Sequence, residues 1–169
     1  MDAIQCMMTR RSIRSFTGGP VSDEQLRTIL EAGMMAPSVS NSQNWRFVVV
    51  REKAGLEKIM RIHPYASMVG DCGAAIILCS DTNRTPLPEF WEQDNAACMQ
   101  NLMLAAHALG LGTVWLAIWP VEDRVRTFIR EFNLPEGVRP LAVCPVGVPA
   151  YQPRQPKRYD ESKIHKETW

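Results

Sequence analysis

Gln100-Asn101-Leu102-Met103-Leu104-Ala105-Ala106-His107-Ala108-Leu109-Gly110-Leu111-Gly112-Thr113-Val114-Trp115 is the stretch on which the reading of this chain turns. Carried back to about residue 90, it places Ala97, Met99, Leu102, Met103, Ala105, Ala106 and Leu109 in nearly every direction around a helical axis. A helix apolar all round is buried. In a short chain, such a helix points to a second subunit covering what the chain itself leaves open. Gly110 supplies the left-handed stop, and residues 112–119 read as an extended segment. Gly110-Leu111-Gly112 is not a dinucleotide-binding turn, because it follows a helix and lacks a third glycine; no G-K-[S/T] loop occurs elsewhere either.

Working outward, residues 74–79 read as a buried strand, joined to the long helix by a Pro-containing connection over 82–89. Before it, residues 54–62 look helical, and Trp45-Arg46-Phe47-Val48-Val49-Val50 is a strand rich in aromatic and branched side chains. Ser22-Asp23-Glu24-Gln25 is a capping box opening a helix with Leu26, Ile29, Leu30 and Met34 on one face, which ends near Ala36-Pro37. Residues 2–10 form a short helix that runs into a basic turn and a Gly18-Gly19-Pro20 break. Toward the other end, residues 120–132 read as a helix with Val121, Val125, Phe128, Ile129 and Phe132 inward, and residues 141–148 as a strand. The order is mixed α and β: one domain over residues 1–150, then a polar arm over 151–169 that is expected to pack on a partner subunit.

A chain of 169 residues fits one domain. Nineteen Lys and Arg against eighteen Asp and Glu leave a net charge of +1, too little to gather nucleic acid or an anionic membrane. Basic chemistry must therefore be local. The five cysteines are odd in number and form no C-x-x-C pair, which argues against a disulfide framework or a metal site. Neither a signal peptide nor an apolar run of ~18 residues is present, so a cytoplasmic protein is expected. His63, His107 and His165 have no neighbouring Ser or Cys in a nucleophile setting, and Cys98 reads as a packed thiol.

Two polar stretches could carry chemistry. Arg10-Arg11-Ser12-Ile13-Arg14 gathers three guanidiniums and a hydroxyl at a helix end, which suits a phosphomonoester. Taken alone it also describes a solvated basic turn. Ala36-Pro37-Ser38-Val39-Ser40-Asn41-Ser42-Gln43-Asn44-Trp45 follows a helix with hydroxyl and amide groups that could meet the edge of a planar heterocycle, or it is simply a hydrophilic loop.

Taken together, R-R-S-I-R-x-F, A-P-S-x-x-N-x-Q-x-W-x-F, Q-N-L-x-L-A-A-x-x-L-G-L-G-T-x-W and a closing basic pair resemble the nitroreductase family, in the family's order and over nearly the whole chain. The resemblance implies an α+β fold: a central, mainly antiparallel sheet flanked by helices, in an intertwined homodimer with two FMN sites at its interface. Arg10, Arg11 and Ser12, with Lys157 and Arg158, would hold the phosphate and ribityl end, and Arg14 would lie at the pyrimidine edge of the ring. Pro37, Ser38, Val39, Asn41 and Gln43 would come from the other subunit, while Val114, Trp115, Leu116 and Ala117 line the inner face. It further implies an oxidoreductase that moves hydride from NADH or NADPH through FMN to a small electron-poor acceptor by a ping-pong mechanism, with no side chain as catalytic acid or base. The rivals are a family member acting on another substrate, flavin-consuming or dehalogenating, and a flavin carrier or sensor without turnover. The chain departs from the family at Asn44, where Pro usually precedes the Trp, which puts the rigidity of the loop in question. It is also short before the long helix, which would leave the pocket open.

Overall fold

The computed structural model describes residues 1–169. Two strands buried along most of their length, β2 (Ala74–Asp81) and β5 (Val138–Gly147), form the middle of a five-stranded sheet. β1 (Trp45–Val50) pairs with the free side of β2, and β3 (Gly112–Thr113) and β4 (Leu116–Ala117) lie on the far side of β5. Every strand pair is antiparallel, as the resemblance implied.

Helices cover both faces, which is why β2 is apolar without alternation. Successive side chains of a strand point to opposite faces, so β2 feeds two cores. Ala74, Ile76 and Leu78 meet α2 (Asp23–Met34) and α4 (Trp91–Ala108) through Leu26, Ile29, Met99 and Leu102. Ala75, Ile77 and Cys79 meet α3 (Lys53–Ile62) and α5 (Glu122–Glu131) through Leu56, Ile59, Val125 and Phe128.

The Ser22–Gln25 capping box is formed in both directions, and Gly110 ends α4 at φ +78. The extended segment expected over 112–119 is instead two short strands. Pro145, which has no N–H to give, lies on β5 between their two pairings, and Val114 and Trp115 are left free of the ladder there. Val121 was expected to face inward; it precedes the first turn of α5 and is exposed. The connection after β2 contains two 3₁₀ turns, Thr82–Arg84 and Pro88–Phe90.

Within one chain α4 is only partly covered. Trp91, Cys98, Met99, Leu102, Met103 and Ala106 are buried, whereas Gln93, Gln100 and Ala108 are exposed. Near this open side, α1 (Ala3–Thr9) leans on α4 through Cys6 Sγ to Leu104 O at 3.3 Å. Ile4, Met7 and Met8 of α1 and Met34 and Met35 at the end of α2 are exposed apolar side chains.

Candidate functional site

The chain's two basic ends are brought together by backbone pairing. Ile13 N donates to Thr113 O at 2.8 Å, bridging Ser12 to Thr113 at the end of β3, and Phe16 bridges to Pro149. Gly112 permits the approach, since a Cβ there would sit 2.8 Å from Ile13 Cβ. Where the arm leaves β5, Thr17 N donates to Val148 O and Ala150 N to Ser15 O, each at 3.0 Å, and Gln155 Nε2 reaches Thr9 O at 3.2 Å.

Arg158 thereby comes close to Arg10. Burial, and then the charges of Arg11 and Arg158, hold the Arg10 guanidinium below the usual arginine range. Arg11 gives an N–H to Arg10 O at 2.6 Å, while its Nε is buried with no partner. None of the chain's ion pairs includes Arg10, Arg11, Arg14, Lys157 or Arg158. Close by, His107 shares a 2.8 Å hydrogen bond with Thr9 Oγ1; burial and the charges of Arg10 and Arg11 push its pKa down. Arg11, Ile13, His107 and Tyr151 line a cavity of about 350 Å³ here. Like charges without an acid, and a buried N–H without an acceptor, fit an anion such as a phosphomonoester. Ser12 is half-buried beside them; Lys157 is exposed and the structure gives it no part in the cluster.

Arg14 opens on a second cavity, of about 590 Å³, which it shares with Val114, Trp115, Leu116 and Ala117. Its other wall comes from the turn after α3 and from α5, where sequence reasoning placed nothing. His63 Nδ1 accepts from Tyr65 N at 3.2 Å, so its Nε2 carries the proton and donates to Ala117 O at 3.0 Å. Arg124 donates to the same carbonyl at 2.9 Å, with its guanidinium 5.5 Å from the centre of the Tyr65 ring. Two donors therefore fix the Ala117 carbonyl. Burial pushes the His63 pKa down; the Ala117 hydrogen bond opposes this and the Arg124 charge adds to it. The apolar wall and the cationic rim suit a flat ring that gains negative charge.

The loop from Pro37 to Gln43 lies elsewhere. Ser38 is extended, a 3₁₀ turn spans Val39–Asn41, and Ser40, Asn41 and Gln43 take positive φ of 50, 52 and 47. Its anchor is Asp94 of α4, which accepts from Val39 N at 2.9 Å, from Asn44 Nδ2 at 3.0 Å and from Ser42 Oγ at 3.4 Å. Asn44 is buried, and its Oδ1 accepts from Asn95 Nδ2 at 3.0 Å. This network supplies the rigidity that the missing proline put in question. Asp94 is near the start of α4 and His107 near its end, roughly 20 Å away at the helical rise per residue. One chain therefore does not bring its own loop to its own arginine cluster.

The comparisons with known proteins agree with one another. The sequence model of the nitroreductase family matches residues 7–68 and 63–148. The chain is similar to a Methanothermobacter thermautotrophicus protein named for NADH dehydrogenase/NAD(P)H nitroreductase, with 44% identity over 100% of this chain and 88% of that protein. A Parabacteroides distasonis structure described in the same words matches with a TM-score of 0.94 at 34% identity, over 98% of both chains. A Desulfovibrio desulfuricans structure, described as a nitroreductase in complex with FMN, matches with a TM-score of 0.87 at 30% identity, over 100% of this chain and 99% of that one.

Proposed function

The chain belongs to the nitroreductase family, and on that premise we propose that it is an FMN-dependent oxidoreductase working as a homodimer. The observation that carries the cofactor assignment is the crowding of Arg10, Arg11 and Arg158 with no acidic partner and a buried Arg11 Nε left unpaired. These groups, with Ser12 and with Lys157 drawn in from the exposed arm, would hold the phosphate. Val114, Trp115, Leu116 and Ala117 would back the ring, and Arg14 would meet its pyrimidine edge. When bound, FMN supplies a two-electron carrier that takes hydride from NADH or NADPH and gives it to a small nitroaromatic, quinone or flavin acceptor in alternate half-reactions. The chain's task is to bind, orient and place charge; no acid or base side chain is required, since protons come from water through an open pocket.

Pro37, Ser38, Val39, Asn41 and Gln43 would close the site of a second copy. Two features support this: the separation of the loop from its own arginine cluster, and the exposed apolar side chains of α1 and of the end of α2 beside the open side of α4. In the same reading residues 151–169 are an arm of the domain spanning 1–150, extended over the partner. Five unpaired thiols suit a reducing cytoplasm, and no helix is long and apolar enough to cross a membrane.

The test is direct. Purified protein is expected to be yellow, to release FMN on denaturation, and to lose its absorption near about 450 nm when NADH or NADPH is added. Protein that stays colourless after reconstitution and sediments as one chain at high concentration refutes the proposal. Bound flavin that neither nicotinamide bleaches would mark a carrier or sensor instead.

A further inference from the structure

We infer that Asp94 is a positioning residue: it holds residues 38–44 in the shape with which they close the FMN site of a second copy, an inference that rests on the functional reading above. Three of the four residues from Ser40 to Gln43 are non-glycine with left-handed φ, which an L-residue's Cβ disfavours and which persists where the surroundings impose it. Within the loop, Asn41 N donates to Ser38 O and Ser42 N to Val39 O, each at 3.0 Å, and the side-chain bonds that would hold Gln43 are open to water. Gln43 N to Ser38 Oγ and Gln43 Nε2 to Asn41 Oδ1 are both exposed and compete with water.

Asp94 is 5% exposed, and both of its oxygens are taken by the loop. Oδ1 binds Val39 N, before the left-handed stretch; Oδ2 binds Ser42 Oγ within it and Asn44 Nδ2 just after it. One carboxylate thus clamps both ends of the strained segment. No cation pairs with Asp94, so its hydrogen-bonding capacity goes to the loop. Asn44 passes the constraint on to Asn95, whose Nδ2 also donates to Trp91 O at 3.0 Å, one turn earlier on α4. Although Asn95 Oδ1 is itself left without a partner, this buried network ties both ends of the loop to α4 and so restricts it to one conformation.

The polarity of the network gives a reciprocal test. In Asp94→Ala, Val39 N and the Asn44 amide lose their acceptor. We expect amide exchange over residues 39–44 of the apoprotein to quicken by about tenfold, and FMN, titrated by quenching of its fluorescence, to bind about tenfold more weakly. The double variant Asn44→Asp/Asp94→Asn should restore both. The amide at position 94 can accept from Val39 N and donate to Ser42 Oγ and to the new carboxylate, which still accepts from Asn95.

Unchanged exchange and FMN affinity in Asp94→Ala overturn the inference. So does a loss of thermal stability without a loss of FMN affinity, which would reduce Asp94 to a packing role. A double variant that folds and dimerises like the parent but recovers neither readout also overturns it. A parent protein that takes up no FMN overturns the reading of the site itself, whereas the exchange of the Val39 amide decides the anchor separately.

Discussion

The two ends of α4 are built on opposite principles. Near His107, the guanidiniums of Arg10, Arg11 and Arg158 crowd one another, no acid answers them, and one buried N–H has no acceptor. Around Asp94, a buried carboxylate meets three donors, and its neighbours Asn44 and Asn95 extend the network, with Asn95 Oδ1 alone left over as a buried acceptor. The first arrangement is destabilising in the free chain and becomes favourable when an anion arrives. In the second, both carboxylate oxygens already have their donors before any ligand is present. Binding affinity should therefore be concentrated at the arginine end, while shape is set in advance at the aspartate end.

The largest effect is expected from Arg10→Ala. Hydrogen bonds to charged groups contribute about 1.5–3 kcal/mol, so FMN should bind about tenfold to a hundredfold more weakly, read by fluorescence titration. The melting temperature of the apoprotein should hold or rise slightly, because a like-charge contact is relieved. Added salt should weaken the parent's binding more than the variant's. If Arg10→Ala and Ser12→Ala both retain FMN as the parent does, the phosphate assignment fails and the contrast between the two ends goes with it.

A smaller effect tests how the arginine end is held. Gly112→Ala forces a methyl against Ile13 Cβ at 2.8 Å, and backbone on both sides must move. Such overpacking costs roughly 1–3 kcal/mol, and it should pull residues 10–14 off β3. Thermal melting and FMN titration should therefore both suffer, unlike in Arg10→Ala, where only binding does. A variant that binds FMN normally despite a lowered melting temperature would show that the arginines do not depend on that backbone pairing.

These contrasts also explain what was legible in the sequence. The capping box, α4 and the strands β1 and β2 are local patterns, and they appear where periodicity and turn residues place them. The arginine run and the polar loop stood out as clusters in sequence. Asp94, Asn95, His63, Tyr65 and Arg124 did not, because each acts on a segment distant in the chain; Asp94 is 55 positions from Val39. An acid on the buried face of an apolar helix was the one available signal. The split of the third extended segment was hidden as well, since β3 and β4 are defined by their partner β5, where Pro145 lies, and not by their own residues.

The smallest expected effect separates two histidines, one beside the arginine cluster and one beside the ring cavity, by the origin of their acidity. Both have pKa values below the usual 6.5, so for each the unfolded chain binds a proton more readily than the folded one. Their contribution to stability is present above about pH 6.5 and is lost as pH falls toward the folded pKa. The melting temperature should accordingly drop on acidification through that window, and His63→Gln, which keeps a donor for Ala117 O, should flatten part of the drop. The causes differ, however. The His63 shift comes first from burial, which a flavin ring in the adjoining cavity would only deepen; that of His107 owes part to Arg10 and Arg11, whose field a bound phosphate dianion would cancel. Proton NMR titration of the imidazole resonances with and without FMN should show the His107 pKa rising while that of His63 does not follow it. Equal movement of both, or of neither, would mean that the anion does not sit at the arginine end of α4.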